Sequence, residues 1–242
     1  MLDRYDMCMT EKHENSPKHR FHGRRKGKTL TAYRRDLIDN QLQNYTIDDL
    51  NDLSPLLSSK SETWFEIGFG NGEFLSHTAQ NTNDIQLIGC EPFVNGVAAL
   101  LASLETPVDN LKIWNDDARI LMDAMPDNCL DRVYLLNPDP WPKTRHASRR
   151  FVQTETLDEI ARLLKPGGLF TMSTDVADLA NWMHEKTWNH SAFEWTAKSQ
   201  DDWITPPSDW PLDKTRYMKK ALGGETIYWL EFKKHEERSK NI

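Results

Sequence analysis

Residues 64–75, WFEIGFGNGEFL, decide the fold. An apolar run ending at Ile67 enters three glycines at alternate positions, Gly68, Gly70 and Gly72, and Glu73 then opens the amphipathic stretch EFLSHTAQ (73–80). This reads as strand, glycine turn, helix, and glycines at such a turn let the backbone approach a ligand closely. Moving outward, the alternation recurs. IQLIGCEP (85–92) precedes VNGVAALLASLE (94–105), LKIWNDD (111–117) precedes ARILMDAM (118–125), LDRVYLLNP (130–138) precedes TLDEIARLLK (156–165), and GLFTMSTD (168–175) precedes DLANWMHEKTW (178–188). The pattern predicts right-handed βαβ crossovers and a doubly wound, mostly parallel α/β sheet with helices on both faces, binding its ligand at the carboxyl ends of the strands. FEWTA (193–197) and ETIYWLEFKK (225–234) are predicted to close the sheet as an antiparallel C-terminal edge, with residues 201–220 as a long intervening loop.

Residues 1–60 are polar and weakly periodic, and read as a basic N-terminal arm with short helices over 31–42 and 47–53; residues 61–242 read as one domain. The 242 residues carry a net charge of -7, which by itself argues against a polyanionic partner. The distribution reverses that argument. Twelve of the 30 Lys and Arg lie in two acid-free segments, 15–35 and 143–150, leaving 18 to face all 37 acids elsewhere. An acidic body with two concentrated basic segments is the layout expected of a phosphate-backbone binder. Cys8, Cys90 and Cys129 are too scattered for a C-x-x-C metal or redox site, and suit a reducing compartment. The N-terminal MLDRYDMCMT lacks the apolar core of a secretory signal, and no run approaches the ~18 apolar residues of a membrane span, so a cytoplasmic protein is expected.

The glycine turn departs from a dinucleotide fingerprint, because Glu73 stands where G-x-G-x-x-G has its third glycine. Glu66, just before the turn, would repel a phosphate but attract an ammonium, which favours S-adenosylmethionine over NAD. Glu91, after the second strand, stands where an acid accepts from ribose hydroxyls. Asp117, after the third, is positioned to accept from the adenine amine, with Ala118 supplying a backbone N–H; Glu91 and Asp117 also suit plain helix N-caps.

The fourth strand ends in LLNPDPWPKTRHASRR (135–150). Pro138 and Pro140 restrict the backbone around Asp139, Trp141 offers a face for stacking a base, and Lys143, Arg145, His146, Arg149 and Arg150 follow at what reads as the start of a helix. Cations at a helix N-terminus oppose the dipole, so an external anion is expected there. His146, inside that cationic run, is expected to resist protonation. Trp203 and Trp210, in the 201–220 loop, either flank an acceptor base or cover the sheet.

EIGFGNG, GCEP, DDA, PDPWPKTRH with its trailing RR, and STD together resemble the bacterial tRNA (guanine-N7)-methyltransferases over roughly residues 21–232. The resemblance implies a class I, Rossmann-like methyltransferase, S-adenosylmethionine as donor, and guanosine 46 in the variable loop of tRNA as acceptor. It implies that Glu66, Glu91, Asp117 and Asp139 face the cofactor, and that Lys143, Asp175 and the Thr215, Arg216 and Tyr217 of a late motif contact substrate. The residues themselves add Gly68, Gly70 and Ala118 to the cofactor side, Arg145 to the phosphate contacts, and Asp139, held by its prolines between donor and acceptor, as the expected catalytic residue. The family's late motif, Thr, any residue, aromatic, Glu, ends here in Met218 instead of the acid. No metal and no membrane are implied, and monomer and homodimer both remain open. Two other readings compete. NPDPW also resembles the N-P-P-Y signature of exocyclic-amine methyltransferases, with Asn137 as the amine-gripping residue, and a non-catalytic RNA-binding module would share the basic segments.

Overall fold

The chain was analysed as a computed structural model that describes residues 21–212 and 215–236. Seven strands form one sheet: β1 (Glu62–Ile67), β2 (Ile85–Cys90), β3 (Leu111–Trp114), β4 (Leu130–Leu136), β5 (Leu164–Thr174), β6 (Phe193–Trp195) and β7 (Tyr228–Lys234). Their order is β3-β2-β1-β4-β5-β7-β6. The first five are parallel, with Phe65 opposite both Ile88 and Val133. β7 runs antiparallel between β5 and β6. The order reverses between β1 and β4, so their carboxyl ends diverge and open a crevice at the point where such sheets bind ligands.

β2 lies inside the sheet and is buried on both faces, which is why it reads as a nearly continuous apolar run instead of alternating. Helices α1 (Ala32–Asn40), α3 (Glu73–Asn81) and α4 (Val94–Ser103) cover one face, where Phe74, Leu75, Leu87, Val97, Leu100 and Leu101 pack with Leu37 and Ile38. The segment assigned to the arm thus contributes to this core from α1 onward. On the other face α5 (Ala118–Ala124), α6 (Thr154–Leu163) and α7 (Ala177–Trp188) bury Leu121, Leu157, Ile160, Leu179 and Met183 against Phe65, Val133 and Phe170. α6 begins in a reciprocal cap between Gln153 and Thr156 and passes into β5 with no loop, so β5 starts at Leu164, ahead of the expected Gly168.

Three expectations need correction. Residues 47–53 are not helical: Asp49 and Asp52 accept from the amides of Asn51 and Ser54 in local turns, and the Ile47 amide donates to Ile113 beside β3. Such side-chain bonds offer the backbone an alternative to helix, and only the short α2 (Ser54–Leu57) follows. The basic run after Lys143 does not open an α-helix; it forms a 3₁₀ helix, Thr144–Arg149, with His146 and Arg149 in its last turn, where the dipole favours cations. The 201–220 loop contains a 3₁₀ turn (Asp201–Trp203) and α8 (Arg216–Lys220). Trp210 stacks on Phe74 at 5.1 Å and 2°, while Trp203 packs on Trp195 at 5.2 Å, so both cover the sheet. Lys18, Arg20 and Cys8 lie outside the described residues. Among those described, no helix is long and apolar enough to cross a membrane, and no group of three His, Cys, Asp or Glu could hold a metal.

Candidate active site

The crevice between β1 and β4 is a cleft of about 1270 Å³. Its walls include Glu66, Gly68, Gly70, Glu91, Asp117, Ala118, Asp139, Thr215 and Tyr217, drawn from the ends of four strands and the start of α8.

Glu66 lies at the end of β1, 3% exposed, and among the described residues its Oε2 has no hydrogen-bond partner. Burial, with the Glu73 and Glu91 carboxylates nearby, raises its carboxyl well above the usual range. A buried carboxylate without a partner is costly unless a cation or donor meets it. Gly68 follows at φ +69, with open space where a side chain would be. Its amide and that of Phe69 donate to the Cys90 carbonyl, at 2.8 and 3.2 Å, tying the turn to the end of β2.

Glu91 braces the same turn. Its Oε2 accepts from the Gly70 amide at 2.7 Å and its Oε1 from the Phe93 amide at 2.9 Å. Burial nevertheless outweighs those two bonds and pushes its carboxyl up to about 7. At the next strand end Asp117 is the N-cap of α5, accepting from the Arg119 amide at 3.1 Å and from its Nε at 3.0 Å. The capping alternative therefore holds for Asp117, which nonetheless keeps its place on the cleft wall beside Ala118.

Asp139 stands exposed on the wall of the same cleft, with no hydrogen bond or ion pair among the described residues. The backbone flanking its Pro-Asp-Pro is unusual: Asn137 at φ 48 and Trp141 at φ 42 are left-handed non-glycine residues. Each costs about 1–3 kcal/mol unless its surroundings hold it. Arg150 is what holds this loop, its Nε donating to the Pro140 carbonyl at 3.2 Å while its guanidinium lies over Trp182 at 4.8 Å. Arg150 is thus a clamp for the loop as well as a residue of the cleft wall. Trp141 has the Arg149 guanidinium over its ring at 5.0 Å and meets the His146 ring edge-on at 5.8 Å. Desolvation, Arg149, Arg145 and Lys143 lower the His146 pKa, keeping it neutral as expected.

The other expected substrate residues divide. Thr215 caps α8, accepting from the Met218 amide at 3.4 Å, and Tyr217 leans over Gly70 at the cleft mouth with Lys220 over its ring at 4.9 Å. Met218 is 3% exposed and belongs to the apolar cluster with Ile227 and Trp229, so a carboxylate on this side chain would be buried among hydrocarbon. Lys143, Arg145, Asp175 and Arg216 lie outside the cleft wall. Arg145 Nε reaches His146 Nε2 at 3.4 Å, Asp175 accepts from the Gly223 amide at 2.7 Å, and Arg216 lines a second cavity.

Sequence reasoning missed the strap that runs beside the cleft. Phe21, His22, Gly23 and Arg24 line it. Arg25 pairs with the buried Asp116 at 2.6 Å, its carbonyl accepts from the Val94 amide at 3.1 Å, and Asn95 bonds both the Gly27 amide and the Lys28 carbonyl, at 3.0 and 2.7 Å. The doubled acid Asp116-Asp117 was the available signal: one caps a helix and leaves the other for a partner.

Residues 60–228 match a family described as putative methyltransferases. The chain is 42% identical over 223 residues to the tRNA (guanine-N(7)-)-methyltransferase of Rhizobium johnstonii, covering 88% of this chain and 94% of that protein. It is 42% identical to that of Roseobacter denitrificans, covering 90% and 97%, and 40% identical to that of Ruegeria pomeroyi, covering 94% and 100%. Among solved structures, a 16S rRNA (adenine(1408)-N(1))-methyltransferase of Catenulisporales acidiphilia superposes with a TM-score of 0.52 at 12% identity, covering 80% of this chain and 95% of that one. That likeness concerns the fold alone, which is the class I, Rossmann-like methyltransferase fold. With whole-length relatives at this identity, the chain belongs to the tRNA (guanine-N(7)-)-methyltransferase family.

Proposed function

We propose that this protein transfers the methyl group of S-adenosylmethionine to N7 of guanosine 46 in the variable loop of tRNA. The observation that carries the reading is the buried Oε2 of Glu66, unpartnered among the described residues, in a cleft that the exposed Asp139 also lines. When bound, the cofactor supplies a methyl carried on a sulfonium, and guanine N7 attacks it with a lone pair that bears no proton.

No general base is needed for that step, so the residues bind and align. Glu66 receives the cofactor's ammonium. Glu91, braced by Gly70 and Phe93, offers its remaining lone pairs to the ribose hydroxyls, while Gly68 leaves room for the ligand. Asp117 and Ala118 form the adenine end. Asp139 accepts from the guanine N1–H and amine and stabilises the positive charge that the purine gains on methylation. Alignment of this kind is worth on the order of 7 kcal/mol or more in the best oriented cases. Asp175, Thr215 and Tyr217 support the acceptor nucleotide, and Lys143 and Arg145 neutralise neighbouring phosphates. The reading sets the protein in a reducing cytoplasm, which the free thiols of Cys90 and Cys129 support.

Methyl transfer to tRNA transcripts with and without the variable-loop guanosine tests the site, and nucleoside mass spectrometry tests the atom. Label in N7-methylguanosine, lost with that guanosine, is the expected result. One atom favours a second reading. Among the described residues Asn137 Oδ1 is buried without a partner on the cleft wall, as an amine-gripping asparagine would be, and recovery of an exocyclic N-methyl nucleoside would replace the first reading with it. Asp139→Ala is expected to lower single-turnover methylation at least a hundredfold with tRNA affinity changed less than about threefold; an unchanged rate removes Asp139 from the mechanism.

A further inference from the structure

A second cavity, of about 410 Å³, adjoins the cleft and shares Asn71 and Phe93 with it. Its wall carries three cations, Lys28, Arg34 and Arg216, together with Thr29, Thr31 and Asn95, and no acid. In a protein with 37 acids against 30 Lys and Arg, an acid-free cavity wall with three bases is a marked local reversal of charge. The three come from distant parts of the chain: the strap, the first turn of α1 and the first residue of α8. Among the described residues none of them is in an ion pair, and the first turn of α1 holds no acid that would neutralise them internally.

The surrounding structure sets this arrangement in place. Asn95, the second residue of α4, holds the strap on both sides of Lys28 through the Gly27 amide and the Lys28 carbonyl. Thr31 accepts from the Arg34 amide at 3.3 Å and so fixes the turn from which Arg34 projects. Arg216 follows Thr215, which caps α8 and is itself on the cleft wall, while Tyr217 leans over Gly70.

We propose that this cavity is an anion subsite that receives a backbone phosphodiester of the RNA adjacent to the acceptor nucleotide. Cations gathered from three elements around a polar, acid-free recess match a phosphate's several acceptor oxygens, and guanidinium groups suit them in particular. The shared wall then sets a fixed step between the phosphate and the base offered to the cleft, so the site acts on the register of the acceptor as well as on affinity. This rests on the tRNA reading above, and its test does not depend on methyl transfer.

The salt dependence of tRNA binding, measured by fluorescence anisotropy with the full chain, is compared for wild type, Arg34→Gln and the triple variant Lys28→Gln/Arg34→Gln/Arg216→Gln. Each lost phosphate-contacting cation flattens the slope of log K against log salt by about 1, so Arg34→Gln is expected to lose about 1 and the triple variant 2 to 3. Titration with S-adenosylhomocysteine serves as the folding control and is expected to stay within about threefold of wild type. A second arm titrates inorganic phosphate against bound tRNA. Slopes identical to wild type in correctly folded Arg34→Gln overturn the proposal. Saturable phosphate binding that the triple variant loses, with an unaltered tRNA slope, also overturns it and reassigns the cavity to a free small anion. Wild-type protein that binds tRNA with the expected slope but does not methylate it overturns the enzymatic reading and leaves the subsite standing.

Discussion

Glu66 and Glu91 stand next to the same turn and are in opposite states of satisfaction: Glu91 has an amide on each oxygen, whereas Glu66 Oε2 has no partner among the described residues. The difference predicts different outcomes of neutralising them. Glu66→Gln replaces a carboxyl whose ionisation burial opposes, so the variant's melting temperature is expected to exceed that of wild type by a margin that grows as pH rises, while cofactor affinity falls about ten- to a hundredfold, the range for a lost charge-assisted bond. Calorimetry of the melt together with binding isotherms checks both signs, and a melt that falls along with affinity would mean that Glu66 is structurally satisfied. Glu91 predicts a pH effect. The folded protein holds its proton up to about 7, from a usual 4.5. Between those values the folded state binds more protons than the unfolded chain, so this residue's contribution to stability falls as pH rises through that window, by up to about 3 kcal/mol. Cofactor binding runs the other way. It needs the ionised acceptor, and affinity is expected to rise from pH 6 to 8 and then level off; a flat profile in wild type would detach Glu91 from the cofactor.

At the scale of elements, the glycine turn and the start of α4 are fitted to each other. The Gly96 amide donates to the Phe93 carbonyl at 2.8 Å, and a Cβ on Gly96 would overlap the Gly70 carbonyl oxygen, which is backbone and has nowhere to go. Gly96→Ala is therefore expected to cost about 1–3 kcal/mol by overpacking, lowering the melting temperature by roughly 3–10 °C, and to loosen the cofactor site through the displaced turn. A stable variant with normal cofactor affinity would show that α4 can retreat. The basic 3₁₀ helix after Lys143 teaches a related lesson. Its cations suggest a helix start awaiting an anion, but the element is short and turns so that Arg149 falls at its favourable end. Residue order along the segment could not distinguish these, because 3₁₀ and α starts share the same composition.

At the scale of the molecule, the N-terminal strap couples the basic segment to the cleft. Arg25 meets Asp116, whose side chain is 7% exposed, and breaking that pair leaves a nearly buried carboxylate to the Asp117 amide, which donates to it at 2.7 Å. Because Arg25 is itself half exposed, the pair contributes modestly to global stability, at most about 1 kcal/mol. Its loss should act locally. Arg25→Ala is expected to speed tryptic cleavage within residues 24–28 several-fold and to accelerate cofactor release, with the melting temperature nearly unchanged. Equal cleavage rates in the two proteins would mean that the Asn95 bonds alone hold the strap.

The sequence by itself determined the β/α alternation, the glycine turn after β1 and the acids at the strand ends, because each is a local pattern: buried strands read as apolar runs, and turn chemistry is written in adjacent residues. It also carried the family's motifs, with Met218 as the departure. Only the tertiary structure decided which charges are free. Arg150 and Arg149 look alike in PWPKTRHASRR, yet one clamps the Pro140 carbonyl and the other covers Trp141. Asp116 and Asp117 are neighbours, yet one holds a strap that begins ninety residues earlier and the other caps its own helix. The grouping of Lys28, Arg34 and Arg216 around one recess likewise has no trace in their spacing. The reason is physical: a charge's role depends on its partners and its solvent, and folding brings these from distant parts of the chain.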